Sequence, residues 1–318
     1  MRPRRLIVIA VVAVCAAALI YCGRRFSPSD IPILLSGTPH DRYALLLKFH
    51  GVADTAAGQR WLDSAAESLS RPEPARLPLV VRTPLDVDAF AYTFPLRRGQ
   101  LYTADVRTGG RVFVDLFRQT DSGPQHVRSA PSDSGALSVE ASIDGDYLVR
   151  IQAPLEGTAE AVVSQTLQPS LGMPVLGAKR ASIQSGFGAP REAGERVHQG
   201  VDIFAPRGTL VVAAADGIVT SVGINGLGGN VVWQVRPLRG ESLYYAHLDR
   251  QLVKTGAYVR RGDVVGTVGS TGNARGGPTH LHFGIYARGG AVDPLPYVAS
   301  VDAGKNRSAD HRRAASRQ

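Results

Sequence analysis

Five polar side chains, His198, Asp202, His247, His280 and His282, crowd the last part of the sequence and are of the types that hold a metal ion and move protons. In His280-Leu281-His282-Phe283, the period of two in a β-strand would place both imidazoles on one face, with Cα atoms ~6.6 Å apart. One of the two can then ligate a metal while the other reaches a water beside it. His198-Gln199-Gly200-Val201-Asp202 has the four-residue offset of a helical zinc motif. Gly200 and the β-branched Val201 and Ile203 oppose a helix, so His198 is expected on a loop or strand start and Asp202 on the strand itself. Two imidazoles and a carboxylate suit Zn²⁺, and three protein ligands leave a fourth position open for water. No glutamate lies within these motifs to act as a base, which leaves that work to a histidine. A lone histidine is far more often packed or solvated than ligating, and Asp202 alone reads as a turn or edge residue. The weight rests on all five together.

The fold that must position them reads as mainly β. Residues 171–300 show short runs, Val211–Ala214, Ile218–Val222, Val231–Val235, Tyr244–His247, Val264–Val268 and His280–Tyr286, punctuated by glycine and proline, and predict an antiparallel sheet, open or barrel-like. Within it Asn230, Tyr244 and Tyr245 are candidates for lining a groove, with strand packing the alternative for the two tyrosines. Lys254, Arg260 and Arg261 read as a solvated edge. Residues 80–168 alternate in short strands separated by turns such as Thr108-Gly109-Gly110 and Asp144-Gly145-Asp146, which predicts an antiparallel β-sandwich of about eight strands. Residues 26–79 hold a short helical region and linker. Tyr43, Leu46, Leu47, Trp61, Leu62, Ala65 and Leu69 have helical spacing, Gly51 divides two helices, and three prolines mark 71–78.

The two ends carry the charge. Of a net +9, five arginines lie in residues 1–25, and residues 301–318 hold five basic against two acidic groups, leaving about +1 for residues 26–300. That is not the basic face of a nucleic-acid binder, and no nucleic-acid partner is expected. Residues 1–25 read as a signal-anchor or transmembrane segment, with an uncharged apolar run from Leu6 to Cys22 behind Arg2, Arg4 and Arg5. This predicts a membrane partner and an envelope location outside the cytoplasm: periplasmic if the anchor is retained, secreted if it is cleaved. Both cysteines, Cys15 and Cys22, fall there, so the rest of the chain needs no disulfide. Residues 301–318 read as a basic disordered tail.

Three ordered motifs, His198-x-Gly-x-Asp202, Tyr245-Ala246-His247-Leu248 and Thr279-His280-Leu281-His282-Phe283, resemble the lysostaphin-like (LytM-type) zinc endopeptidases of peptidoglycan. The likeness covers about residues 171–298, including Ser185-Gly186-Phe187-Gly188 and Gly269-Ser270-Thr271-Gly272. Carried over by position, it implies one Zn²⁺ on His198, Asp202 and His282, with His247 and His280 flanking the attacked carbonyl. It implies peptidoglycan as partner and hydrolysis of cross-link or stem-peptide bonds as the activity. The alternative within the family is a non-hydrolytic activator of cell-wall amidases, which would have a cell-wall enzyme as partner and would be signalled by lost ligands. This sequence departs from the pattern at Pro278-Thr279 before His280 and at Gly284, where an acidic residue is frequent; neither removes a ligand. The β-sandwich resembles modules that accompany secreted bacterial peptidases, most tellingly at Gly145-Asp146-Tyr147, and is expected to position or cover the groove.

Overall fold

A computed structural model describes residues 27–131, 134–157, 159–191 and 194–299. The apolar run 6–22 and the basic tail 301–318 lie outside the described residues. Among the described residues no helix is long and apolar enough to cross a membrane. The described residues divide into two compact units: the first runs to Pro95 and adds Thr103–Val139 and Gly145–Thr166, and the second takes Leu96–Tyr102, Glu140–Asp144 and the described residues from Leu167.

The first unit opens with helices α1 (Ile31–Ser36), α2 (Pro39–Phe49) and α3 (Ala56–Ser70). Thr38 and Asp41 form a capping box around Pro39, and the Thr55 hydroxyl caps α3 by accepting from the Gly58 N–H, so the starts of α2 and α3 are chemically marked. The helices share a core with the sandwich. Trp61 is fully buried, stacks on His40 at 4.5 Å and donates its indole N–H to the Ala153 carbonyl at 2.8 Å, while His40 Nε2 bonds Gln152. The sandwich strands are β1 (Glu73–Pro74), β2 (Leu79–Leu85), β3 (Phe90–Leu96), β4 (Gln100–Thr108), β5 (Phe113–Thr120), β6 (Gly123–Ser129), β7 (Ala136–Glu140), β8 (Gly145–Gln152) and β9 (Ala159–Pro169). They form a five-stranded sheet, β1-β3-β8-β5-β6, and a four-stranded sheet, β2-β9-β4-β7.

In the second unit the strands are β10 (Ile183–Ser185), β11 (Pro190–Arg191), β12 (Arg196–Val197), β13 (Val201–Phe204), β14 (Leu210–Val212), β15 (Gly217–Asn225), β16 (Gly229–Arg236), β17 (Glu241–Gln251), β18 (Tyr258–Val259), β19 (Val264–Val268), β20 (His280–Ala287) and β21 (Gly290–Val292). The main sheet runs β10-β13-β20-β17-β16-β15-β18, with β19 bridging β14 and β17 and β21 on β20. Its central pairs are antiparallel, with Asp202 and Ala246 both opposite His282.

Alternation along β20 decides what faces where. Leu281, Phe283 and Ile285 are fully buried in a core with Ile203, Leu243, Tyr245 and Leu248. Burial of Phe283 alone is worth ~1.5–3 kcal/mol. A one-residue slip would put His280 and His282 into that core, so hydrophobic burial enforces the register that presents the histidines. The segments the second unit draws from the sandwich sequence end in a buried ionic network. Arg236 bridges Glu140 at 2.9 Å and Glu241 at 2.6 Å, and Arg98 bonds the Tyr297 hydroxyl, which donates to Glu241 at 2.8 Å.

Candidate metal centre

His198 follows directly from the β11–β12 hairpin, clamped by its N–H to the Ala189 carbonyl and its carbonyl to the Gly188 N–H. Its Nδ1 lies 2.8 Å from the Gly186 carbonyl, an acceptor only, so Nδ1 carries the hydrogen and, in the neutral ring, Nε2 presents a lone pair. Asp202 is held on β13 between Ser185 of β10 and His282 of β20. His198 Nε2 lies 2.9 Å from His282 Nδ1 and 3.0 Å from Asp202 Oδ1, and His282 Nδ1 is 3.1 Å from the same oxygen.

Three donor atoms thus close a triangle with edges near those of a tetrahedral zinc site, where bonds of about 2.0–2.2 Å set ligand separations of ~3.3 Å. A lone pair on His198 Nε2 facing a carboxylate oxygen needs a cation or proton between them, and three such atoms meeting at one point fit a metal. His198 is 2 % exposed and Asp202 6 %, so water does not separate them. Burial works against the Asp202 charge, yet the adjoining His198 and His282 rings, which donate to it when protonated, hold its carboxyl far below the usual range.

Gly200, between His198 and Asp202, has no room for a side chain. A Cβ there would stand 2.5 Å from the Phe283 carbonyl and 2.8 Å from the His282 ring. Any larger residue pushes His282 out of the triangle.

His247 and His280 border the triangle. His247 has φ of 60°, the one left-handed non-glycine among the described residues, at a register shift of β17. Its N–H bonds the Gly228 carbonyl at 2.7 Å and its Nδ1 donates to the Thr271 carbonyl at 2.8 Å. The His280 Nδ1 donates to the Pro278 carbonyl at 2.9 Å. The two rings stand 5.0 Å apart, and His247 is 5.8 Å from His282. As neutral Nδ1–H tautomers, both present Nε2 as an acceptor and can take a proton before either can give one. Burial, and then the nearby charges of His280 and His282, lower the His247 pKa to about 4.

The five residues lie in one groove of about 620 Å³. Arg191, Arg196, Trp233, Tyr244 and Tyr286 also line it. Tyr244 is thus a groove residue, but Tyr245 is not: it is fully buried, and its hydroxyl accepts from the Ala214 N–H and donates to Gln234. Asn230 does not line the groove either; its amide braces the Leu248 and Asp249 carbonyls. Sequence reading did not single out Arg191, Arg196, Trp233 or Tyr286. Tyr286 was readable, because it continues the period of two through His280, His282 and Gly284. Trp233 reaches the groove because β16 places it opposite Tyr244, a register that no local pattern announces.

The profile of peptidase family M23 matches residues 196–294, a span that holds all five polar residues. The chain carries a peptidase family M23 domain. It is 40% identical over 113 residues to a peptidoglycan DD-endopeptidase, ShyC, of Vibrio cholerae, covering 33% of this chain and 25% of that protein. It is 37% identical over 126 residues to an L-Ala--D-Glu endopeptidase of Bacillus subtilis, covering 36% of each. The chain therefore spans about a quarter to a third of the length of these relatives. Among solved structures, the catalytic domain of lysostaphin from Staphylococcus simulans is 32% identical, with a TM-score of 0.32, covering 35% of this chain and 87% of that one. The M23 match begins at β12, which leads into His198, and ends past β20, so it holds the five polar residues and none of the sandwich, while Arg191 of the groove lies before it.

Proposed function

We propose that the chain is a zinc endopeptidase that hydrolyses peptide bonds of peptidoglycan, in cross-links or stem peptides, during wall remodelling. The observation that carries the reading is the complete set: three converging ligand atoms with two further histidines at their border, all in one groove. His198 Nε2, Asp202 Oδ1 and His282 Nδ1 would hold the ion. Bound there, Zn²⁺ supplies a Lewis acid for the scissile carbonyl and lowers the pKa of water toward neutrality.

The remaining chemistry belongs to the chain. His247 and His280, each oriented through Nδ1–H on a backbone carbonyl, hold Nε2 lone pairs toward the reacting centre. One of them takes the proton of the attacking water and returns it to the leaving amine. Once protonated, a ring becomes a donor for the oxyanion. The groove and its aromatic wall keep an extended peptide in place.

The same reading puts the protein in the cell envelope with its body outside the cytoplasm, on the strength of the apolar run behind three arginines. The test is metal stoichiometry at neutral pH. We expect one zinc per chain, lost in Asp202→Ala and His282→Ala. A wild-type chain without zinc would overturn the enzyme and leave a groove that acts through a wall enzyme.

A further inference from the structure

The Tyr244 hydroxyl carries a hydrogen that the fold leaves unspent. Asn225 ends β15, and its Oδ1 accepts the Gly228 N–H at 2.6 Å in the turn that leads to β16. A backbone N–H can only donate, so this bond fixes which way the side-chain amide faces. Asn225 Nδ2 is left to donate to the Tyr244 hydroxyl at 3.1 Å. The Tyr244 oxygen is therefore the acceptor toward Asn225, and its own hydrogen must go elsewhere. Among the described residues no acceptor takes it. Tyr245, one residue on, shows the contrast: its hydroxyl both accepts from Ala214 and donates to Gln234 inside the core.

The place of the hydroxyl is as defined as its chemistry. Tyr244, Asn225 and Gly228 all line the groove. The Tyr244 ring packs 4.4 Å from Trp233 and 5.9 Å from His282, centroid to centroid. A Cβ on Gly228 would overlap the hydroxyl, so glycine makes room for it. The Gly228 carbonyl also accepts the His247 N–H at 2.7 Å. One turn thus seats both the phenol and a histidine that borders the ligand triangle.

We propose that Tyr244 binds substrate through this hydroxyl, donating it to a backbone carbonyl of the peptide in the groove, and that Asn225 is the positioning residue that aims it. The inference rests on the endopeptidase reading and deepens it. A neutral donor and a neutral acceptor meet without the cost of desolvating a charge, and an extended peptide offers carbonyls along each of its edges.

The test uses the zinc-loaded full chain and soluble cross-linked stem peptides prepared from sacculi. Tyr244→Phe keeps the ring packing and removes only the hydroxyl, so KM is expected to rise ~5-fold, the worth of one neutral hydrogen bond, while kcat changes less. Asn225→Asp still accepts the Gly228 N–H, but its second oxygen also accepts the phenol hydrogen. The same rise in KM is therefore expected with Tyr244 intact, and the double variant should be no worse than either single one. A merely structural tyrosine would move the denaturation midpoint and leave KM alone. An unchanged KM in Tyr244→Phe or in Asn225→Asp, or rises that add in the double variant, would overturn the proposal. If the wild type cuts nothing, calorimetry with the same peptides separates the two claims. Tighter binding by the wild type than by Tyr244→Phe upholds the donor, and the endopeptidase reading alone falls. Equal binding, or none, overturns the donor as well.

Discussion

Each groove histidine is defined by what its second nitrogen touches. His198, His247 and His280 all spend Nδ1–H on a backbone carbonyl, which sets their tautomers without any charged partner. His247 is held in a left-handed conformation that costs ~1–2 kcal/mol for an ordinary residue. His247→Asn, better suited to that conformation, should keep stability within ~1 kcal/mol while lowering the cleavage rate ~100-fold or more, read by denaturation alongside kinetics. A variant that loses stability but keeps activity would contradict the assignment. In the metal-free chain His247 takes its proton near pH 4, against ~6.5 when unfolded. Between those values the unfolded chain binds the extra proton, so this group's stabilisation is complete above pH ~6.5 and declines as pH falls toward 4. An NMR titration should place the His247 midpoint near 4; a midpoint at 6.5 or above would refute the burial argument.

At the scale of elements, β20 carries the design: one face is core, the other presents His280, His282, Gly284 and Tyr286. Gly200→Ala attacks it from β13. The added methyl meets the Phe283 carbonyl and the His282 ring, so we expect ~1–3 kcal/mol lost by denaturation and zinc affinity reduced by more than that loss explains. Unchanged zinc affinity would show that His282 tolerates displacement. The five polar residues and the alternating strand stood out in sequence because each motif has a local spacing; that His198 and Asp202 meet His282 depends on the β13–β20 register. Trp233 of the aromatic wall did not, because it meets Tyr244 only through the register of β16 with β17. Arg191 was hidden for a similar reason: its value lies in Ser185 and Asp202, on two other strands, and a lone arginine in a glycine-rich loop signals neither.

At the scale of the whole molecule, the described residues form two compact units. The helices expected to precede the sandwich share its core through Trp61 and His40, a packing that helical periodicity alone does not reveal. The second unit reaches back into the sandwich sequence for Leu96–Tyr102 and Glu140–Asp144, the segments around the β3–β4 and β7–β8 turns. Glu140 leaves Arg236 half-paired when removed, so Glu140→Ala should destabilise the second unit by ~3 kcal/mol, seen as a lower midpoint in urea; no shift would mean the network is ornamental. Deleting residues 80–168 removes both segments, and so perturbs the peptidase unit as well as the sandwich.

The most direct test of the account is mass spectrometry of the fragments that the zinc-loaded chain releases from purified peptidoglycan sacculi. The account predicts fragments with newly exposed amino and carboxyl ends at a peptide bond, absent with His282→Ala. No fragments from the wild type, or the same fragments from His282→Ala, would contradict it.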